Sequence, residues 1–203
     1  MKHNLKVVLI LTLMFLISEI IGLYVTGLSI GQKELAFGLE KPELDKETSF
    51  VYIFVLIIFV TLIALVIARF NAIRLWKVWF FISIVVVLSV SLSFLVDQKI
   101  AITLALIAAF FKIIKPNVIV HNISELFLYG GLSVLFAESL SILTASLLII
   151  LIAVYDMYAV WKSKHMIKLA KFQSKARVFT GFLIPYIEKK RERFAMLGGG
   201  DVG

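Results

Sequence analysis

Cysteine is absent from the 203-residue chain. Its absence excludes thiolate nucleophiles, thiolate metal ligands and structural disulfides, but it excludes no compartment, because many membrane chains do without cysteine. Histidine is nearly as scarce: His3, His121 and His165 are scattered, with no pair at the spacing of metal ligands, so neither a metal nor another cofactor is expected. Acidic residues are outnumbered, 13 against 21 Lys and Arg, leaving a formal net charge of +8. No recognisable nucleic-acid-binding module uses that charge, and nucleic acid is not an expected partner. The two halves also lack the internal repeat on which many transporters are built. Apolar residues fill the space instead, at 61% of the chain, with a mean hydropathy of +1.02. Such a composition belongs to an integral membrane protein.

The apolar runs predict an all-α, polytopic helix bundle with six spans over 7–28, 50–68, 78–96, 100–114, 118–137 and 140–161. Most are long enough for a hydrocarbon core of about 30 Å. The first is read as a retained anchor rather than a cleaved signal peptide, since it exceeds the usual apolar region and lacks a small-residue cleavage site. The fourth is short and closes with Lys115-Pro116-Asn117; it is expected to cross with Lys112 snorkelling to the interface. The fifth contains His121, Asn122, Ser124, Glu125 and Gly130-Gly131, and is easier to place against protein than against lipid.

Loop charges set the topology. Lys2 and Lys6, then Arg69, Arg74 and Lys77, then Lys112 and Lys115, and finally Lys162 onward fall on alternate connections. The polar loop 29–49 between the first two spans balances Glu34, Glu40, Glu43, Asp45 and Glu47 against Lys33, Lys41 and Lys46. The positive-inside rule then puts the amino terminus and the basic loop 162–196 in the cytoplasm, in a multi-pass protein of the cell membrane. Within that loop, Val178 to Ile187 is mostly apolar but too short to span, and is expected to lie in the interface against anionic headgroups or to order when substrate binds.

Two carboxylates stand out. Asp156 interrupts the apolar run from Leu140 to Trp161, where an ionised aspartate costs on the order of 3 kcal/mol and so marks a pathway, a pairing or a reaction centre. Asp201 follows Gly198-Gly199-Gly200. If 197–203 begins a seventh helix, the two aspartates lie about 9 Å and about 12 Å inside the cytoplasmic face on opposite-running helices. The glycines would let that helix start close against its neighbour.

Tyr155-Asp156 in an apolar helix, a basic loop, and then Gly198-x-Gly200-Asp201 resemble the presenilin and signal peptide peptidase family of intramembrane aspartyl proteases. Val154-Tyr155-Asp156-Met157-Tyr158-Ala159-Val160 and Lys164-His165-Met166 are most similar to microbial, particularly archaeal, members. The resemblance implies a nine-helix enzyme in which Asp156 and Asp201 form a dyad. Tyr155, Gly198 and Gly200 would line or position the site, and a transmembrane helix of another protein, or a remnant signal peptide, would be the substrate. Aspartates a few ångströms apart in a wet, low-dielectric cleft share a proton, so one can activate water while the other protonates the scissile peptide. The family's Pro-Ala-Leu motif and last helices have no counterpart before Gly203. The expectation is therefore an amino-terminal two-thirds of such a protease, inactive unless a carboxy-terminal fragment associates with it; lipid and a second copy are the other expected partners.

Two other classes compete. A transporter or channel would use Glu19, Glu125 and His121 as an ion pathway, although Glu125 is also explained by His121 at i,i+4 or by an interhelical hydrogen bond. A non-enzymatic membrane scaffold is the third. Gly130-Gly131 is expected to mark close helix packing.

Overall fold

Proline-free runs of Leu, Ile, Val and Phe become helices in hydrocarbon because a helix pairs every backbone N–H and C=O within its own segment. The computed structural model describes residues 5–32, 34–38, 40–41, 44–188 and 191–202. The expected charges Lys2, His3, Lys33, Glu43, Lys189 and Lys190 lie outside the described residues. The helices are α1 (Leu5–Ser29), α2 (Ser49–Arg69), α3 (Ile73–Ser93), α4 (Gln98–Ile113), α5 (Val118–Phe136), α6 (Ile142–Trp161) and α7 (His165–Ala176), followed by strands β1 (Gly181–Glu188) and β2 (Arg191–Gly198). The chain is an all-α, multi-pass membrane helix bundle carrying one short β-hairpin. Among the described residues, five helices (α1, α2, α3, α5 and α6) are long and apolar enough to cross a membrane.

The polypeptide divides into two compact units. The first comprises 1–41, 81–135 and 180–203; the second comprises 42–80 and 136–179. In the first, small residues let helices approach closely. Ala101, Ala105 and Ala109, one turn apart on α4, are wholly buried, and Gly131 of α5 packs so tightly on α3 that a Cβ there would lie 2.3 Å from the Val87 carbonyl oxygen. Thr26 of α1 donates to Ser133 Oγ of α5 at 2.9 Å. Val25, Leu35, Val90 and Val134 form one apolar cluster. Of the apolar window of α5, 44% is buried, against 17% for α1, in keeping with a helix that faces protein.

Gly131→Ala is therefore expected to force α3 and α5 apart at a cost of about 1–3 kcal/mol. The midpoint of denaturant unfolding in micelles checks this. Gly27→Ala, where nothing lies within 4 Å of the new methyl, is the control expected to change little.

Two expectations are corrected here. Lys112 does not snorkel: it is 6% exposed, and its Nζ pairs with Glu125 Oε1 of α5. The helix that carries it has 16 residues, or roughly 24 Å at 1.5 Å per residue, which is less than the hydrocarbon thickness. Helix α3 starts at Ile73, so Arg74 and Lys77 sit in its first two turns rather than in a loop.

The reason for that early start lies in the second unit. Trp76 on α3 is buried, with its ring 5.7 Å from Phe172 of α7, 5.8 Å from Trp79 and 6.3 Å from Phe80. Leu169, Phe172 and Ala176 make one stripe of α7 and pack with Ala64 and Ile67 of α2. The amphipathic α7 thus turns its apolar stripe to protein, while Lys168, Lys171 and Lys175 stay exposed. Val178, expected against headgroups, is buried in this same cluster.

Candidate active site

Asp156 is positioned by α6, which opens with a capping box: Ser141 Oγ accepts from the Thr144 N–H, and Thr144 Oγ1 accepts from the Ser141 N–H. Asp156 is half-buried on this helix in the second unit. Its neighbour Tyr155 is fixed from two sides. The Tyr155 hydroxyl lies 2.9 Å from His165 Nε2, and its ring meets Phe54 of α2 edge-on at 6.2 Å. The other ring nitrogen of His165, Nδ1, contacts Ser163 Oγ. A hydrogen-bonded chain thus runs from Ser163 through His165, the first residue of α7, to the residue before Asp156. The sequence points to Tyr155 but gives His165 no part in this chain; the two stand ten residues apart, across the last turns of α6 and a short link.

The Tyr155–His165 hydrogen bond is expected to couple the ends of α6 and α7. Tyr155→Phe and His165→Ala should each lower stability by about 0.5–1.5 kcal/mol, and the double variant should lose no more than one of them. A double-variant cycle on unfolding midpoints reads the coupling.

Asp201 belongs to the first unit. The segment expected to begin a seventh helix is strand up to Gly198, and helical geometry starts only with the single 3-10 turn Gly199–Asp201. Consecutive glycines are poor helix formers, and residues 191–198 pair instead with β1 over the register Gly181↔Gly198 to Glu188↔Arg191. A strand rises about 3.3 Å per residue, so the depth expected of Asp201 from helical rise does not apply. Gly181 is required where it stands: its φ is +119°, and a Cβ would fall 2.0 Å from the Leu197 carbonyl oxygen.

The turn after β2 is seated by its neighbours. Gly199 N–H donates to the Thr180 carbonyl at 3.1 Å, and a Cβ on Gly199 would sit tightly between Thr180 and the Tyr129 hydroxyl, at 3.1–3.2 Å. Val202, beyond it, is buried with Tyr129 and Phe182. Asp201 itself is exposed, with Oδ2 3.3 Å from where a Cβ on Gly198 would stand. A Cβ on Gly200 would meet nothing within 4 Å. Thus Gly198 and Asp201 come together in the first unit, and Tyr155 and Asp156 are adjacent in the second. Among the described residues, neither aspartate makes an ion pair, and no three His, Asp or Glu side chains gather as a metal site.

Helix α5 carries a buried polar face against the hairpin. His121 Nε2 lies 2.8 Å from the Gly181 carbonyl oxygen and 4.0 Å from Glu125 Oε1. Asn122 binds both backbone groups of Leu183: Nδ2 donates to the carbonyl at 2.7 Å and Oδ1 accepts from the N–H at 2.9 Å. Further along, the Tyr129 ring packs on Phe182 at 5.9 Å. Interhelical bonding was one of the expected explanations of Glu125, and its pairing with Lys112 supplies it.

A family model described as "Signal-peptide peptidase, presenilin aspartyl protease" matches residues 11–198. The match includes Asp156 and ends before Asp201. No curated protein and no solved structure matches the chain. A match over nearly the whole sequence, on a multi-pass helix bundle with an aspartate in its sixth helix, shows that this chain belongs to the signal-peptide peptidase and presenilin family of aspartyl proteases.

Proposed function

We propose that this protein hydrolyses peptide bonds within transmembrane helices of membrane proteins or remnant signal peptides, with Asp156 and Asp201 as its dyad. The observation that carries the reading is the family match across residues 11–198, which includes an aspartate on an otherwise apolar membrane-length helix. One aspartate takes the proton of a water molecule as that water attacks the scissile carbonyl carbon. The other, protonated, hydrogen-bonds the carbonyl oxygen and passes its proton on as the C–N bond breaks. Tyr155 holds the end of α6 through His165, and the small residues Gly198 and Gly200 keep the backbone beside Asp201 accessible. Hydrolysis also requires the substrate to unwind locally, because a helical peptide bond is already hydrogen-bonded and shielded.

The remaining proposed features follow the topology and the family. The amino terminus and 162–196 face the cytoplasm, lipid surrounds the bundle, and a second copy associates with it. The ion-pathway reading loses its best-placed carboxylate, since Glu125 is neutralised by Lys112.

The test is cleavage of a fluorogenic transmembrane peptide in proteoliposomes. The chain is assayed alone and with the family's remaining helices supplied as a separate polypeptide. Cleavage inside the membrane-spanning part of the peptide, located by mass spectrometry, supports the proposal. Absence of cleavage under both conditions across several helical peptides would sink it.

A further inference from the structure

The buried polar face of α5 does more than satisfy its own residues. Leu183 pairs across the hairpin with Met196, yet its N–H and C=O both point to Asn122, as they do at a non-hydrogen-bonded position of an antiparallel ladder. Asn122 occupies the outer edge of β1 in the way a third strand would. His121 takes the Gly181 carbonyl two residues earlier on the same edge. The next outward position is Pro185, which has no N–H to offer. The first two turns of α5 thereby cover the outer edge of β1 at Gly181 and Leu183, and β1 in turn sets β2, whose last residue leads directly into the turn carrying Asp201.

We infer that Asn122, with His121, is a positioning residue for Asp201, acting through the hairpin. The inference rests on the proposed protease function for its catalytic consequence and on geometry alone for the anchoring. The support is direct at each link. His121 and Asn122 sit inside α5, the Asn122 side-chain amide binds a strand backbone in two places, and the strand register runs without interruption to Gly198. The Lys112–Glu125 pair stands one turn behind His121 and keeps that face of α5 packed. A rate is sensitive to such a link because a displacement near 1 Å at a reacting group costs on the order of a hundredfold.

The experiment compares wild-type protein with Asn122→Ala and Asn122→Gln in the full chain, by amide hydrogen exchange and by cleavage kinetics on one transmembrane peptide, under whichever of the two assay conditions above gives cleavage. In Asn122→Ala, exchange across residues 183–201 should speed up by about tenfold or more while the other helices stay protected. The kcat should fall roughly 30- to 100-fold with KM within about twofold. Asn122→Gln, which keeps both amide groups one methylene further out, should restore part of both. Asn122→Ser carries the comparison if the alanine variant does not fold.

Unchanged exchange across the hairpin overturns the inference. So does faster exchange with an unchanged kcat, since the side chain would then hold the edge without placing the aspartate. If wild-type protein cleaves nothing while the hairpin still loosens in Asn122→Ala, the anchoring stands and the protease reading fails.

Discussion

Replacing either Asp156 or Asp201 by asparagine should lower cleavage of a transmembrane peptide by at least about a thousandfold, and replacing both should cost no more than replacing one. The equality matters more than the size. Two carboxylates that share a proton act as one device, so removing either leaves a partner with no counterpart. Independent contributions would instead multiply. Asparagine is nearly isosteric with aspartate, and among the described residues neither carboxylate is part of an ion pair whose loss would disturb the fold. Asp156 is half-buried on its helix and Asp201 exposed in its turn, so unfolding midpoints should stay close to wild type. Initial rates for the four combinations, with substrate in excess, decide the matter. A rate that survives either substitution, or losses that multiply in the double variant, would remove the dyad assignment.

The largest expected effect on stability comes from Lys112. Its ammonium group and the Glu125 carboxylate are almost wholly buried, with 2% and 1% of their side chains exposed. Lys112→Ala leaves the buried Glu125 carboxylate without its ammonium partner and with only the His121 ring, 4.0 Å away, as a cation beside it, with a cost of about 3–5 kcal/mol. The paired replacement Lys112→Met with Glu125→Leu removes both charges, keeps approximate volume, and should fall within about 1 kcal/mol of wild type or above it. His121 is 4.0 Å from the same carboxylate oxygen and keeps its bond to Gly181 in the double variant. Equilibrium unfolding in mixed micelles measures all three proteins. A single substitution costing under about 1 kcal/mol would mean that Glu125 finds water or another partner, contrary to its burial.

These sites differ in how far local sequence pattern determines them. Helix positions followed from runs of apolar residues, because hydrocarbon permits few alternatives to a helix. Helices α2, α5 and α6 accordingly occupy Ser49–Arg69, Val118–Phe136 and Ile142–Trp161, all of them apolar runs. The burial of α5 was signalled by its own His121, Asn122, Glu125 and paired glycines. The hairpin was not anticipated, although Phe182-Leu183-Ile184-Pro185-Tyr186-Ile187 is rich in strand-favouring side chains. In a membrane chain, an apolar segment too short to span is ordinarily assigned to the interface. A partner strand and the Asn122 side chain 61 residues away are long-range facts that local pattern does not encode. The same holds for α7: its apolar stripe was visible, but that Trp76 covers it was not. For the candidate site, the residue types and order of Tyr155-Asp156 and Gly198-x-Gly200-Asp201 carried the whole reading. The link from Tyr155 to His165 and the seat of Gly199 between Thr180 and Tyr129 had to be seen in three dimensions.

The shortness of α4 bears on where such a protein can reside. Its alanine face is turned to protein, and the outward side chains Ile100, Ile102, Leu104, Leu106, Ile107 and Phe110 offer lipid an apolar stretch of roughly 15 Å along the helix axis. Acyl chains beside it must compress or splay, at a cost of fractions of a kcal/mol for every ångström of mismatch. Lys112, held inward by Glu125, does not relieve this by reaching for headgroups. Were α4 to cross the bilayer, the lipid beside it would have to thin, and lipid thickness would become a variable to which distribution and assembly respond.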